Sequence, residues 1–136
     1  MAHLLTEFEH VNGHSRDQIA IVSRRLERGI VLVVSGEIDL ATAPAVEREL
    51  MHAEKYHDLI AIDLSKVSFL DSTGLHAIMD SNLRLRERGG RLLIVEGPPQ
   101  ISRLFELTGL SDHLDLVGND TELECLIAND DHARMV

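Results

Sequence analysis

Residues 59–75 read LIAIDLSKVSFLDSTGL, and their reading decides the fold. The run Leu59-Ile60-Ala61-Ile62-Asp63-Leu64 is apolar except for one late charge. That is the pattern of a short strand buried on both faces. Asp71 and Ser72 are both favoured residues at a helix start. From Ser72 to Arg88 the chain is expected to be helical, with Leu75, Ile78, Met79, Leu83 and Leu85 as its buried stripe. Gly89-Gly90 ends it, as glycine does just past a helix. A buried strand followed by a helix is half of a βαβ unit.

Upstream, Ile19–Leu26 and Ile30–Val34 alternate or run apolar, with Glu27-Arg28-Gly29 as a tight turn between them. So short a connection makes them an antiparallel hairpin. Ser35-Gly36 ends the second strand, and Thr42 to Tyr56 reads as a helix. Thr42 is the expected N-cap, Pro44 sits in the first turn, and Ala45, Val46, Leu50 and Ala53 share a face. Downstream come a strand from Arg91 to Glu96, a helix from Pro98-Pro99 through Leu107 closed by Gly109, and a strand from Leu114 to Val117. An acidic helix from Asp120 to Asn129 is expected last. The order β-β-α-β-α-β-α-β-α predicts one α/β domain over 19–129: a mixed, mostly parallel sheet with an N-terminal antiparallel hairpin and helices packed against it. Right-handed crossovers bring the loops after Gly36 and after Leu64 to the same carboxyl end of the sheet. Residues 1–18 show no sustained period and are expected as an N-terminal extension, with 130–136 as a tail.

Composition narrows the function. Thirteen Lys and Arg against 23 Asp and Glu leave the 136-residue chain at −10. Such a surface repels phosphate backbones and anionic lipid, so neither nucleic acid nor a membrane is expected as a partner. Phe8, Tyr56, Phe69 and Phe105 are all the aromatics, too few for a base-stacking platform. The single cysteine, Cys125, excludes an internal disulfide and a cysteine-based zinc site and suits a reducing cytoplasm. No apolar run approaches the roughly 18 residues of a membrane span, and residues 1–18 lack the character of a signal peptide. His3, His10 and His14 fall in the extension, and no metal site is expected from them. Neither standard phosphate-cradling glycine loop occurs, so no cofactor is expected. Ser72 and His76 stand at i and i+4, but no G-x-S-x-G elbow surrounds the serine, so the chain is not expected to be an enzyme. Arg84, Arg86, Arg88 and Arg91, interleaved with Asp80 and Glu87, read as a solvated face with Asp80–Arg84 as a helical pair.

Three stretches carry a resemblance: VVSGEIDLATA (33–43), LIAIDLSKVSFLDSTGL (59–75) and RLLIVEGPPQISRLFELTGLSDHLDL (91–116). Together they make the chain, from about Ile19 to about Ile127, resemble the STAS domains of bacterial anti-sigma factor antagonists. The resemblance implies that Ser72, directly after the Asp of the DSTGL motif, is phosphorylated by a partner. That partner would be an anti-sigma factor, a serine kinase of the GHKL type, and a serine phosphatase would reset the switch. Asp39, at the end of GEID, would support recognition or transfer, with Asp71, Thr73 and Gly74 as the motif's frame. Position 73 is Thr where Ser is common in the family, and His76 stands where relatives carry a small or aliphatic residue. One turn beyond Ser72, His76 could pair with the added phosphate. The alternative function is a scaffold or sensor module binding a small ligand or nucleotide on the same fold.

Overall fold

The computed structural model describes residues 6–10, 19–119 and 122–123. Its elements run β1 (Thr6–His10), β2 (Ile19–Arg25), β3 (Ile30–Ile38), α1 (Ala43–Glu54), β4 (Leu59–Leu70), α2 (Ser72–Glu87), β5 (Arg91–Val95), α3 (Pro99–Leu107) and β6 (Asp115–Val117). A single 3-10 turn, Leu110–Asp112, links α3 to β6. The six strands lie side by side in sequence order. β1–β2 and β2–β3 pair antiparallel, and every later pair is parallel. The α/β architecture, the N-terminal hairpin and the mostly parallel sheet are thus as the alternation implied.

Both faces of the sheet are filled, which is why β3, β4 and β5 read as apolar runs. Leu32, Val34, Ile60, Ile62, Leu92 and Ile94 face α1, α2 and α3, meeting Val46, Leu50, Ile78, Leu85, Ile101 and Phe105. The alternate residues Val31, Leu59, Ala61, Leu93, Val95 and Val117 form a second cluster with Leu26 and Leu123.

Several boundaries differ from the sequence reading. Thr6–His10 lies inside the expected extension yet pairs in register with Ile21–Arg25, adding a strand to the hairpin. β3 continues four residues past Val34, to Ile38, and β4 six past Leu64, to Leu70. β5 accompanies β4 only as far as Asp63 and β2 accompanies β3 as far as Gly36, so the paired ends of β3 and β4 project past both neighbours as a spur. Polar Ser65, Lys66 and Ser68 on this spur are exposed and hide the strand from a hydrophobicity reading. The expected helix over 120–129 lies mostly outside the described residues, although Glu122 and Leu123 are helical. Leu83 does not join the buried stripe of α2 and is exposed. At about 100° per residue it stands roughly 200° around the helix from Leu85, so the two cannot share a face.

The arginines at the end of α2 are not a simple solvated face. Arg84 turns from Asp80 to Glu54 of α1, donating from Nε at 2.7 Å and from Nη2 at 2.9 Å. Ser81 Oγ donates to the same carboxylate at 2.6 Å, and Glu54 is buried. Arg88 Nη2 donates to the carbonyls of Glu54 and His57, satisfying the C-terminal end of α1. Arg91 pairs with Asp115 across β5 and β6 at 3.1 Å.

Burial pushes the Glu54 carboxyl up, but the Arg84 and Ser81 hydrogen bonds and the charges of Arg84 and Arg88 outweigh it and hold it below the usual range. A group depressed on folding stabilises above its unfolded value, about 4.3, and that stability is lost as pH falls through the folded value. Glu54→Ala should therefore cost about 2 kcal/mol near neutral pH, read from urea melts, because it strands Ser81 and Arg84. The difference from wild type should shrink as the melts are moved down into the acid range.

Candidate functional site

The spur brings two loops together. Ile38 and Leu70 are the last register pair of β3 and β4, and the next amide, Asp71 N–H, donates to the Ile38 carbonyl at 3.1 Å. Register shifts between Val33 and Ser35 and between Gly36 and Glu37 let the strands stay paired around this bend. Gly36 sits at φ 111°, a conformation that favours glycine. Asp39 and Asp71 consequently follow neighbouring strand ends.

Each aspartate starts a helix. The Asp39 carbonyl accepts from the amides of Thr42 and Ala43, and its Oδ1 accepts from the amides of Ala41 and Thr42 at 3.0 Å. Thr42, the expected N-cap, already has helical φ and ψ and makes no capping bond. Its fully buried hydroxyl instead accepts from Asp39 N–H at 2.8 Å and donates to the Glu37 carbonyl at 2.7 Å, pinning the loop. Asp71 caps α2: Oδ1 accepts from Thr73 N–H at 2.9 Å, from Gly74 N–H at 3.2 Å and from the Thr73 hydroxyl. The Thr73 hydroxyl bond holds the Asp71 carboxyl below its ordinary value against partial burial, helped by the amides of Gly74, Thr73 and Leu40.

Because Asp71 performs the capping, Ser72 does not. Ser72 is the first residue of α2, it is exposed, and its hydroxyl takes no hydrogen bond among the described residues. His76 is exposed one turn further along α2. Gly74 is a packing position. A Cβ there would lie 2.4 Å from Leu70 Cδ1 and 2.6 Å from Ile38 Cγ2, so its absence lets α2 press onto the ends of β3 and β4.

The six expected residues, Asp39, Asp71, Ser72, Thr73, Gly74 and His76, therefore fall at one end of the sheet. Two features went unread in the sequence. One is the Thr42 pin. The other is the exposure of Leu40 and Phe69 beside the serine. A leucine in the short loop between a strand end and a capped helix, where no core position exists, was the available signal for Leu40.

Among the described residues no group of three or more His, Cys, Asp or Glu side chains could hold a metal, and no helix is long and apolar enough to cross a membrane. A family model described as the STAS domain matches residues 20–123. The chain belongs to the STAS-domain family. It is 38% identical over 95 residues to the anti-sigma-B factor antagonist of Listeria monocytogenes, covering 69% of this chain and 83% of that one. To the anti-sigma-B factor antagonist of Bacillus subtilis it is 32% identical over 90 residues, 66% of this chain and 83% of that one. A crystal structure of an anti-sigma factor antagonist from Mycobacterium paratuberculosis matches this STAS domain with a TM-score of 0.73 at 32% identity, over 81% of this chain and 95% of that chain.

Two substitutions separate the frame from the serine. Gly74→Ala should lower stability by about 1–3 kcal/mol in thermal melts, because the new methyl has only Leu70 and Ile38 to push against. Asp71→Ala should cost about 1 kcal/mol through the lost cap. Ser72→Ala should leave the melt unchanged, since its hydroxyl holds nothing.

Proposed function

We propose that this chain is an anti-sigma factor antagonist switched by phosphorylation of Ser72. With Ser72 bare it binds an anti-sigma factor, a serine kinase of the GHKL type, and so frees a sigma factor. With phosphate on Ser72 it lets go, and a serine phosphatase restores it. The chain is a substrate and a binding protein rather than an enzyme, and it works in the cytoplasm. One observation carries the reading: an exposed serine hydroxyl at the start of a long helix whose capping is done by the residue before it. The names of its relatives point the same way.

The chemistry suits the assignment. Free N–H groups and about half a positive charge gather at a helix N-terminus, so a phosphate there is tolerated by the fold. The phosphate brings a charge of about −1.5 to −2 to any surface pressed against it. Two unit charges 4 Å apart cost about 4 kcal/mol at an effective dielectric of 20, enough to weaken binding by about two to three orders of magnitude. Asp39 supports recognition or transfer. Among the described residues its side-chain hydrogen bonds fall on Oδ1, which leaves Oδ2 to a partner. Thr73 and Gly74 hold Asp71 and the helix start in place, and His76 offers the phosphate a cationic neighbour one turn away.

Incubation with ATP and the cognate kinase should add one phosphate, located on Ser72 by mass spectrometry. Phosphate on Thr73 or Ser68 with Ser72 clean would refute the assignment. Ser72→Ala should keep the anti-sigma factor bound through ATP treatment, and Ser72→Glu should fail to retain it. Asp39→Asn should slow phosphorylation without changing the circular-dichroism melt.

A further inference from the structure

Six large apolar side chains stand in water among the described residues: Leu40, Met51, Tyr56, Phe69, Leu83 and Leu107. Four of them belong to the outer surfaces of α1, α2 and α3 or lie just past α1. The other two are at the serine's end of the sheet. Leu40 is 74% exposed and Phe69 is 48% exposed. They come from the two segments that meet at Asp71. Leu40 lies two residues beyond Ile38, whose carbonyl takes the Asp71 amide. Phe69 pairs in register with Glu37, immediately before the Ile38–Leu70 pair. A standard interface covers about 800 Å² on each partner, wide enough to include both together with Ser72.

We propose that Leu40 and Phe69 are the anchors by which the unphosphorylated chain seats in an apolar concavity of its anti-sigma factor, and that phosphate on Ser72 ejects the partner because closing the contact would strip the phosphate of water between them. The proposal rests on the reading of Ser72 given above and names the surface that the switch controls.

Three observations support it. Neither side chain serves the fold: both are left out of the two apolar clusters. Leu40 is presented on a pinned loop, held by Thr42 to Glu37 and Asp39, so little freedom is lost when it docks. And the phosphate would be well placed in the free protein, at a helix N-terminus, so the cost of phosphorylation must fall on the complex. Interface centres of this kind bind by excluding water, and a dianion in such a centre is left without its solvent. Glu37, Asp39 and Asp71 are acidic groups at the ends of β3 and β4, Glu96 follows β5 and accepts from Ser102, and Lys66 is the basic group on the spur. Repulsion at such an exposed rim is screened when salt shortens the Debye length to about 3 Å near 1 M, whereas dehydration is not.

The probe is the anti-sigma factor that binds wild type and releases Ser72→Glu, produced on its own. Binding to it is measured for Leu40→Gln and Phe69→Thr beside Leu83→Gln and Leu107→Gln, which change equally exposed apolar residues elsewhere. The anchor variants should each weaken binding roughly 10- to 100-fold, the value of burying one such side chain. The two controls should stay within about twofold, and all four melts should match wild type. The penalty of Ser72→Glu should persist near 1 M salt and should fall by about tenfold when both anchors are changed. Anchor variants that bind like the controls, or salt that restores Ser72→Glu, would overturn the proposal while leaving the Ser72 switch standing. If no protein both binds wild type and releases Ser72→Glu, the reading of Ser72 falls and the anchors fall with it.

Discussion

The pairing of β3 with β4 beyond the edge of the sheet is the constraint on which the site depends. Among the described residues, past Asp63 β4 has only β3 beside it, and past Gly36 β3 has only β4, yet the two stay in contact to Ile38 and Leu70. The hydrogen bond from Asp71 to Ile38 closes the pair. Because both strands end at the same level, the two helices that follow begin side by side. Buried Asp63, whose Oδ1 accepts the Ser65 amide at 2.8 Å, marks where β4 leaves the sheet. Gly74 then fixes the distance between the start of α2 and the strand ends. A slip of either strand would separate Asp39 from Ser72 and draw Ile38, Val67 or Leu70 out of the core.

A division of labour at the helix start follows from this geometry. The first amides of a helix need acceptors, and a serine in the capping position would spend its oxygen on them. Here the aspartate one residue earlier takes Thr73 and Gly74, and the Thr73 hydroxyl steadies that aspartate. The serine is left with its oxygen uncommitted. The same arrangement separates stability from switching: the fold rests on Asp71 and Gly74, and a change at Ser72 alters the surface with little effect on what lies beneath.

Most of this architecture was legible in the sequence because it rests on periodicity. Runs buried on both faces, helices at 3.6-residue spacing and glycines at helix ends gave the order of the elements. Where periodicity was interrupted, the reading stopped short. Ser65, Lys66 and Ser68 broke the apolar run, and the spur they build became visible only in the pairing with β3. Thr42 stands at the N-cap position as its chemistry implied, but that its hydroxyl turns back to Glu37 and Asp39 depends on where β3 ends, which the run ending at Val34 concealed. Arg84 had two carboxylates in reach, Asp80 on its own helix and Glu54 on the next, and only packing of α1 against α2 decides between them. The motif around Ser72 was legible as a motif; that Gly74 lies against Ile38 and Leu70 was not.

The chain's overall acidity works against a phosphoserine, yet the fold offsets it locally. α1, α2 and α3 each follow a parallel strand, so all three N-termini open at the end of the sheet that carries Ser72. Their partial positive charges and free amides act over the first turn only, the range that matters for a group on Ser72. The guanidinium groups of Arg84, Arg88 and Arg91 gather at the other end, where helix carbonyls and carboxylates occupy them. They are too far from the start of α2 and too fully engaged to draw a phosphate away from it. A net charge of −10 therefore describes the chain as a whole but not the environment of the serine. That environment is set by helix ends, and these can hold a dianion in water while giving a closing partner no means of hydrating it.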